Sequence, residues 1–143
     1  MTTIVADARV GLMVSDSKCT GGSTWVPMTK IFRVNGDLFG FAGGVNERER
    51  WLKWHRNGRK GPRPKMESFE GLLLKPDGTL YELCSDGLEM LIERGFHAVG
   101  SGASAALGAM LAGKQAREAV EIALQIDAGS GGDICAFNLK EAT

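Results

Sequence analysis

The chain has 143 residues, 43% of them hydrophobic and 24% charged, with 17 Lys and Arg balancing 17 Asp and Glu. This composition suits one globular domain, 1–143, with a sizeable buried core, and a net charge of zero removes any overall electrostatic reason to bind nucleic acid or an anionic membrane. Cys19, Cys84 and Cys135 are scattered without CxxC spacing, which argues against a disulfide framework or a zinc site and fits a reducing cytoplasm. No apolar run approaches the roughly 18 residues of a membrane-spanning helix, and no charged segment leads into a signal-peptide core, so neither a membrane span nor a targeting peptide is expected.

From the N-terminus, TTIVADA and LMVSD read as apolar strands joined by a turn at Arg9-Val10-Gly11. KIFRV and LFGFAGG flank Asn35-Gly36-Asp37, and Asn-Gly is the strongest short hairpin signal. Asn46 is placed to cap a helix through ERERWLKWHR that ends at Asn57-Gly58, with Trp51, Trp54 and the stem of Lys53 on its apolar side. The following basic, Pro/Gly-rich loop, with Arg56, Arg59, Lys60, Arg63 and Lys65, reads as a solvated connection or an assembly contact. A nucleic-acid face would need a broader positive surface with aromatics placed for stacking.

FEGLLLK and TLYELC then form two strands around Pro76-Asp77-Gly78, and LEMLIERGFHAVGSG leads into two helical segments. ASAALGAMLAG is small and apolar. QAREAVEIALQIDA is amphipathic, with Ala119, Ile122, Ala123 and Ile126 on one stripe. GGDICAFNL is a last strand. Helices segregated from strands predict an α+β fold.

Three glycine-rich stretches resemble nucleotide-binding motifs. Gly100 to Ala105, GSGASA, lacks the βαβ context of a dinucleotide fingerprint, and Gly108 to Lys114 has Gln115 where a phosphate-binding loop needs Ser or Thr. Close helix-to-sheet packing accounts for both better. The third, DAGSGGD at Asp127–Asp133, presents polar groups in a tight turn before a strand. His55 and His97 are too few for a metal site; no metal and no cofactor are expected.

Taken in order, TTIVADARVGLMVSDSKCTGG, MTKIF, FGFAGG, AVGSGASAA and DAGSGGDIC resemble the proteasome β-subunit family of N-terminal-nucleophile (threonine) hydrolases, with the nearest likeness to its bacterial proteasome-like peptidases. The matching stretches cover most of the chain outside residues 46–95. The resemblance implies a four-layer αββα sandwich of two antiparallel sheets, trimmed because RNGRKGPRPKMES stands where the family has a second long helix. The first turn is two residues shorter than usual, and the short tail after Leu139 leaves no room for the extra closing strands of many relatives.

The resemblance also implies a mechanism. Thr2, exposed by removal of Met1, matches the nucleophile, whose own α-amine takes the hydroxyl proton. Lys30 and Asp16 match the lysine that favours the ionised hydroxyl and the carboxylate that orients it. Gly43 matches the residue whose backbone N–H binds the oxyanion. Ser101, Asp127 and Ser130 match the polar group around the threonine amine. Thr20 and the segment from Gly43 correspond to edges between which a peptide binds as an added strand, and Cys19, Met28, Phe32, Phe41 and Val45 to positions around a pocket suited to an apolar side chain. The implied substrate is peptide or unfolded polypeptide, the implied assembly a homo-oligomeric ring, and the implied partner an ATP-dependent unfoldase. Two other readings stay open: a catalytically silent ring or scaffold subunit that keeps Met1, and a hydrolase of small amides.

Overall fold

A computed structural model describes residues 1–141. In chain order the strands are β1 (Ile4–Asp7), β2 (Leu12–Ser15), β3 (Lys18–Gly21), β4 (Thr24–Pro27), β5 (Ile31–Val34) and β6 (Asp37–Gly43). Helix α1 (Val45–Arg56) precedes β7 (Phe69–Leu74), β8 (Leu80–Cys84), β9 (Glu89–Leu91) and β10 (Phe96–Val99). Helices α2 (Ala103–Leu111) and α3 (Ala116–Ile126) and strand β11 (Cys135–Asn138) complete the order.

One sheet runs β10-β1-β2-β11 and the other β5-β6-β7-β8-β9, with β3 and β4 as a separate exposed hairpin. Each strand pairing in both sheets is antiparallel. Strand periodicity then decides the layers, because successive side chains point to opposite faces. Ile4, Ala6 and Met13 face inward and meet Ile31, Leu38, Leu72, Leu74 and Leu80 of the second sheet. Their neighbours Val5 and Val14 face outward onto Ala106, Ala109, Ala116, Ala119, Val120 and Ala123 of α2 and α3. On the second sheet Phe39, Phe41, Leu73 and Leu83 face outward onto Trp51 and Leu52 of α1. The result is helix, sheet, sheet, helix. Burying each large side chain contributes about 1.5–3 kcal/mol before chain entropy is charged against it.

The β5–β6 hairpin turns as its sequence predicts: Asn35 and Gly36 have φ of 52° and 86°, the left-handed pair a two-residue turn requires. Residues 57–68 contain no helix, in line with the trimmed middle. Arg59 and Arg63 of this basic loop are tied down, however, Arg59 to Glu89 at 2.7 Å and Arg63 to the Cys84 carbonyl at 3.1 Å, so only part of it is a solvated connection.

Other expectations shift by a turn or a face. The cap of α1 is Gly44, with no side-chain cap bond, and Asn46 lies inside the first turn. The buried face of that helix is Trp51 with Leu52; Lys53 is exposed. On α3 the buried stripe is Ala116, Ala119, Val120 and Ala123, while Ile126 at the helix end is 69% exposed. GSGASA follows a strand whose neighbour is antiparallel, and Gly108 lies within α2, so neither nucleotide motif has its required setting.

Candidate active site

Thr2 sits just before β1, at the end of the inter-sheet layer, and is 6% exposed, whereas Met1 is 72% exposed. The Gly100–Gly102 loop holds it from one side. The Thr2 carbonyl accepts the Gly102 N–H at 3.1 Å, and Gly100, at φ 98°, has no room for a Cβ against that same carbonyl. Glycine is needed here for both reasons. On the other side the Thr3 N–H donates to Asp16 Oδ1 at 3.1 Å and the Thr3 carbonyl accepts the Asp16 N–H at 3.2 Å.

Lys30 and Asp16 are both buried and form an ion pair at 2.8 Å. Lys30 Nζ also reaches Thr2 Oγ1 at 3.0 Å, the Lys18 carbonyl at 2.7 Å and the Met1 carbonyl at 3.1 Å. Four acceptors therefore compete for three N–H groups. Asp16 is fully engaged, since its oxygens also accept from the backbone N–H of Thr3, Lys18 and Gly131. Removing one member of such a buried pair costs about 3–5 kcal/mol, because the other is left charged and unpaired.

A second polar chain runs along the opposite flank. The Thr2 N–H donates to Ser101 Oγ at 3.1 Å, and Ser101 donates its own proton to Asp127 Oδ2 at 2.6 Å. Ser130 donates to the same oxygen at 2.6 Å, which leaves Thr3 Oγ1 as the donor in its 2.7 Å contact with Ser130. Partial burial works against the charge on Asp127, but the Ser101 and Ser130 hydroxyls and the Gly129 N–H hold its carboxyl below the ordinary value. Asp127 thus fixes the direction of every proton in the chain ending at Thr2.

Two cavities open on either side of Thr2, and Gly43, at φ 117°, lines both. The first, of about 360 Å³, is bounded by Ser68, Glu70 and Ser101, with Glu70 accepting the Gly100 N–H at 2.7 Å. The second, of about 250 Å³, contains Cys19, Thr20, Met28, Phe41 and Val45. Phe32 is the one expected pocket residue that does not line it: its ring lies behind Arg48, 4.8 Å from the guanidinium carbon, and Arg48 lines the cavity instead. Sequence reasoning missed both Arg48 and Glu70. Arg48 stands in a run of charges, and Glu70 is the second residue of an apolar strand; neither carries a local signal of the cavity it faces.

Among the described residues, no group of three or more His, Cys, Asp and Glu is arranged to hold a metal ion, and no helix is long and apolar enough to cross a membrane. His55 lies away from this region. It accepts the Arg59 Nε–H on Nδ1, which leaves Nε2–H to face Asp37 at 3.2 Å; burial and the neighbouring Arg59 push its pKa down.

No protein-family model and no curated protein sequence matches the chain. Solved structures do. A eukaryotic HslV from Trypanosoma brucei superposes with a TM-score of 0.76 at 21% identity, covering 96% of this chain and 99% of that one. BPH from Thiobacillus denitrificans superposes with a TM-score of 0.71 in its complex with Epoxomicin, at 18% identity over 98% of this chain and 100% of that one. A second structure of the same BPH gives 0.70 at 18% identity, covering 99% of each chain. Near-complete coverage in both directions, on top of the antiparallel double sheet and its flanking helices, identifies the architecture: the chain has the proteasome-like, HslV-type fold of the N-terminal-nucleophile hydrolases.

Proposed function

We propose that the chain is a threonine-type endopeptidase or amidohydrolase that cleaves peptide bonds through an acyl ester on Thr2, after Met1 is removed, as a subunit of a self-compartmentalising ring. The observation that carries this reading is the contact of Lys30 Nζ with Thr2 Oγ1 at 3.0 Å while Asp16 holds the same nitrogen at 2.8 Å. A buried ammonium beside a hydroxyl favours the alkoxide needed for attack.

Met1 removal would change two things at once. It frees the Thr2 nitrogen as an α-amine, whose ordinary pKa near 8 suits a proton acceptor at neutral pH. It also removes the Met1 carbonyl from the four acceptors around Lys30, leaving three N–H groups for Asp16, the Lys18 carbonyl and Thr2 Oγ1. In the proposed reaction the amine takes the Oγ proton as Oγ bonds to the substrate carbonyl carbon, and the Gly43 N–H binds the oxyanion. The C–N bond then breaks as the proton passes to the leaving amine. Water, deprotonated by the same α-amine, hydrolyses the ester and restores Thr2. Ser101, oriented by Asp127, holds the amine for both steps.

The substrate is peptide or unfolded polypeptide bound as an added strand between Thr20 and the segment from Gly43, with an ATP-dependent unfoldase as the proposed supplier. One observation favours a silent scaffold subunit instead: the Met1 carbonyl is held by Lys30 and its side chain lies over Gly129. Intact mass before and after incubation with a peptide epoxyketone separates the two. A chain lacking Met1 that gains one inhibitor mass, with no gain in Thr2→Ala, is expected; retention of Met1 in the assembled protein, or a Met1-free chain that gains no mass, overturns the proposal.

A further inference from the structure

The cavity walled by Cys19, Met28, Phe41 and Val45 carries a cationic wall. Lys18, Lys30 and Arg48 line it, and no carboxylate does among the described residues. Lys30 is committed to Asp16, and Lys18 Nζ donates to the Ala128 carbonyl at 3.2 Å. Arg48 is different. Its side chain is only 13% exposed and rests on the Phe32 ring, with Nη1 donating to the Thr29 carbonyl at 3.3 Å.

Its one acidic partner among the described residues, Glu49, takes Nε–H and one Nη2–H, is 61% exposed, and does not line the cavity. Two of the five guanidinium N–H groups, one on each terminal nitrogen, therefore have no acceptor among the described residues. Glu47, one residue earlier, is turned to the Glu67 and Ser68 N–H groups at 3.0 and 3.3 Å. Arg48 also lies in the first turn of α1, where the helix adds its own partial positive charge.

We propose that Arg48 makes this cavity the seat of an acidic side chain on the residue whose carbonyl Thr2 attacks, so that the protein cleaves after Glu or Asp. The inference rests on the threonine-peptidase reading and names its substrate class. At about 250 Å³ the cavity suits one side chain, with Met28, Phe41 and Val45 against the methylenes and the planar fork of Arg48 at the carboxylate. An apolar side chain in the same place would leave the two free N–H groups desolvated and unpaired, so the apolar residues alone misstate the preference.

The test is the rate at which two peptide epoxyketones, identical except for Glu or Leu at that position, modify the Met1-free protein by intact mass. Glu is expected to react about ten- to a hundredfold faster, the range of a charge-assisted hydrogen bond. Arg48→Met should reverse the order, Arg48→Lys should keep it in weakened form, and Arg48→Glu should gain reaction with a Lys compound, a gain that misfolding does not produce. Equal or faster modification by the Leu compound overturns the acidic preference and leaves the threonine chemistry standing. No modification by either compound overturns both.

Discussion

The two helical layers cover their sheets with opposite materials. On one side α2 and α3 present alanines: Ala106, Ala109, Ala116, Ala119 and Ala123 pack against Val5, Val14 and Ala98. On the other, α1 presents Trp51 to a bed of Phe39, Phe41 and Phe69, with ring centroids 4.7 to 6.3 Å apart. Alanine interfaces bring helix backbones close to the sheet and leave little freedom to relax. The loops at their ends, Gly100–Gly102 before α2 and Asp127–Ser130 after α3, are therefore set firmly around Thr2. The aromatic side supplies area and holds the helix whose first turn carries Val45 and Arg48. One layer places the groups around Thr2 and the other shapes the cavity beside it.

That division is open to direct attack. Trp51→Ala should cost about 3–5 kcal/mol in urea unfolding, and at temperatures where the variant stays folded it should raise KM more than it lowers kcat. Ala119→Leu, which forces extra volume into the alanine layer, should cost about 1–3 kcal/mol and lower kcat with KM little changed; the reverse pattern in either variant breaks the comparison.

Ser101→Ala sharpens it further, because it removes the one hydroxyl that links the Thr2 nitrogen to Asp127 while Ser130 still donates to that carboxylate. We expect a loss of about 1 kcal/mol in kcat/KM, roughly fivefold, with the melting temperature nearly unchanged. The smallest effect concerns pH. His55 is held neutral in the folded protein, with its pKa below the ordinary value, so its contribution is present above about pH 6.5 and is lost as pH falls from there through the folded value. His55→Gln should flatten the acid limb of the stability curve by under about 1 kcal/mol after solvent screening, leaving kcat untouched.

What was legible in the sequence follows from how local its cause is. The Asn35-Gly36 turn and the outward alternation of Val5 and Val14 are properties of a few adjacent residues, and both are seen in the structure. The grouping of Asp16, Lys30, Gly43, Ser101, Asp127 and Ser130 near Thr2 was legible through five ordered motifs rather than through any one residue. The β3–β4 hairpin was not legible: its strands are exposed at most positions and show no alternation. Arg48 and Phe32 exchanged places because a helix face and a strand face meet only in three dimensions. The buried stripe of α3 stops at Ala123, one turn short of the stripe its periodicity suggests, and Ile126 at the helix end is exposed.

The helix-free segment 57–68 has a consequence for engineering. It is moored at both flanks: Trp54 Nε1–H donates to the Gly61 carbonyl at 3.2 Å, Arg59 grips Glu89, Arg63 holds the Cys84 carbonyl, and Glu47 receives the Glu67 and Ser68 N–H groups. Between the Arg59 and Gly61 moorings, Lys60 is exposed, as is Gly61 itself, and neither belongs to a strand or helix. Loop length costs little once the ends are fixed. The Lys60–Gly61 junction is therefore the natural splice point for a foreign peptide, such as a tether or a fluorescent reporter, where it can ride on the molecule without pulling on β7 or on Thr2.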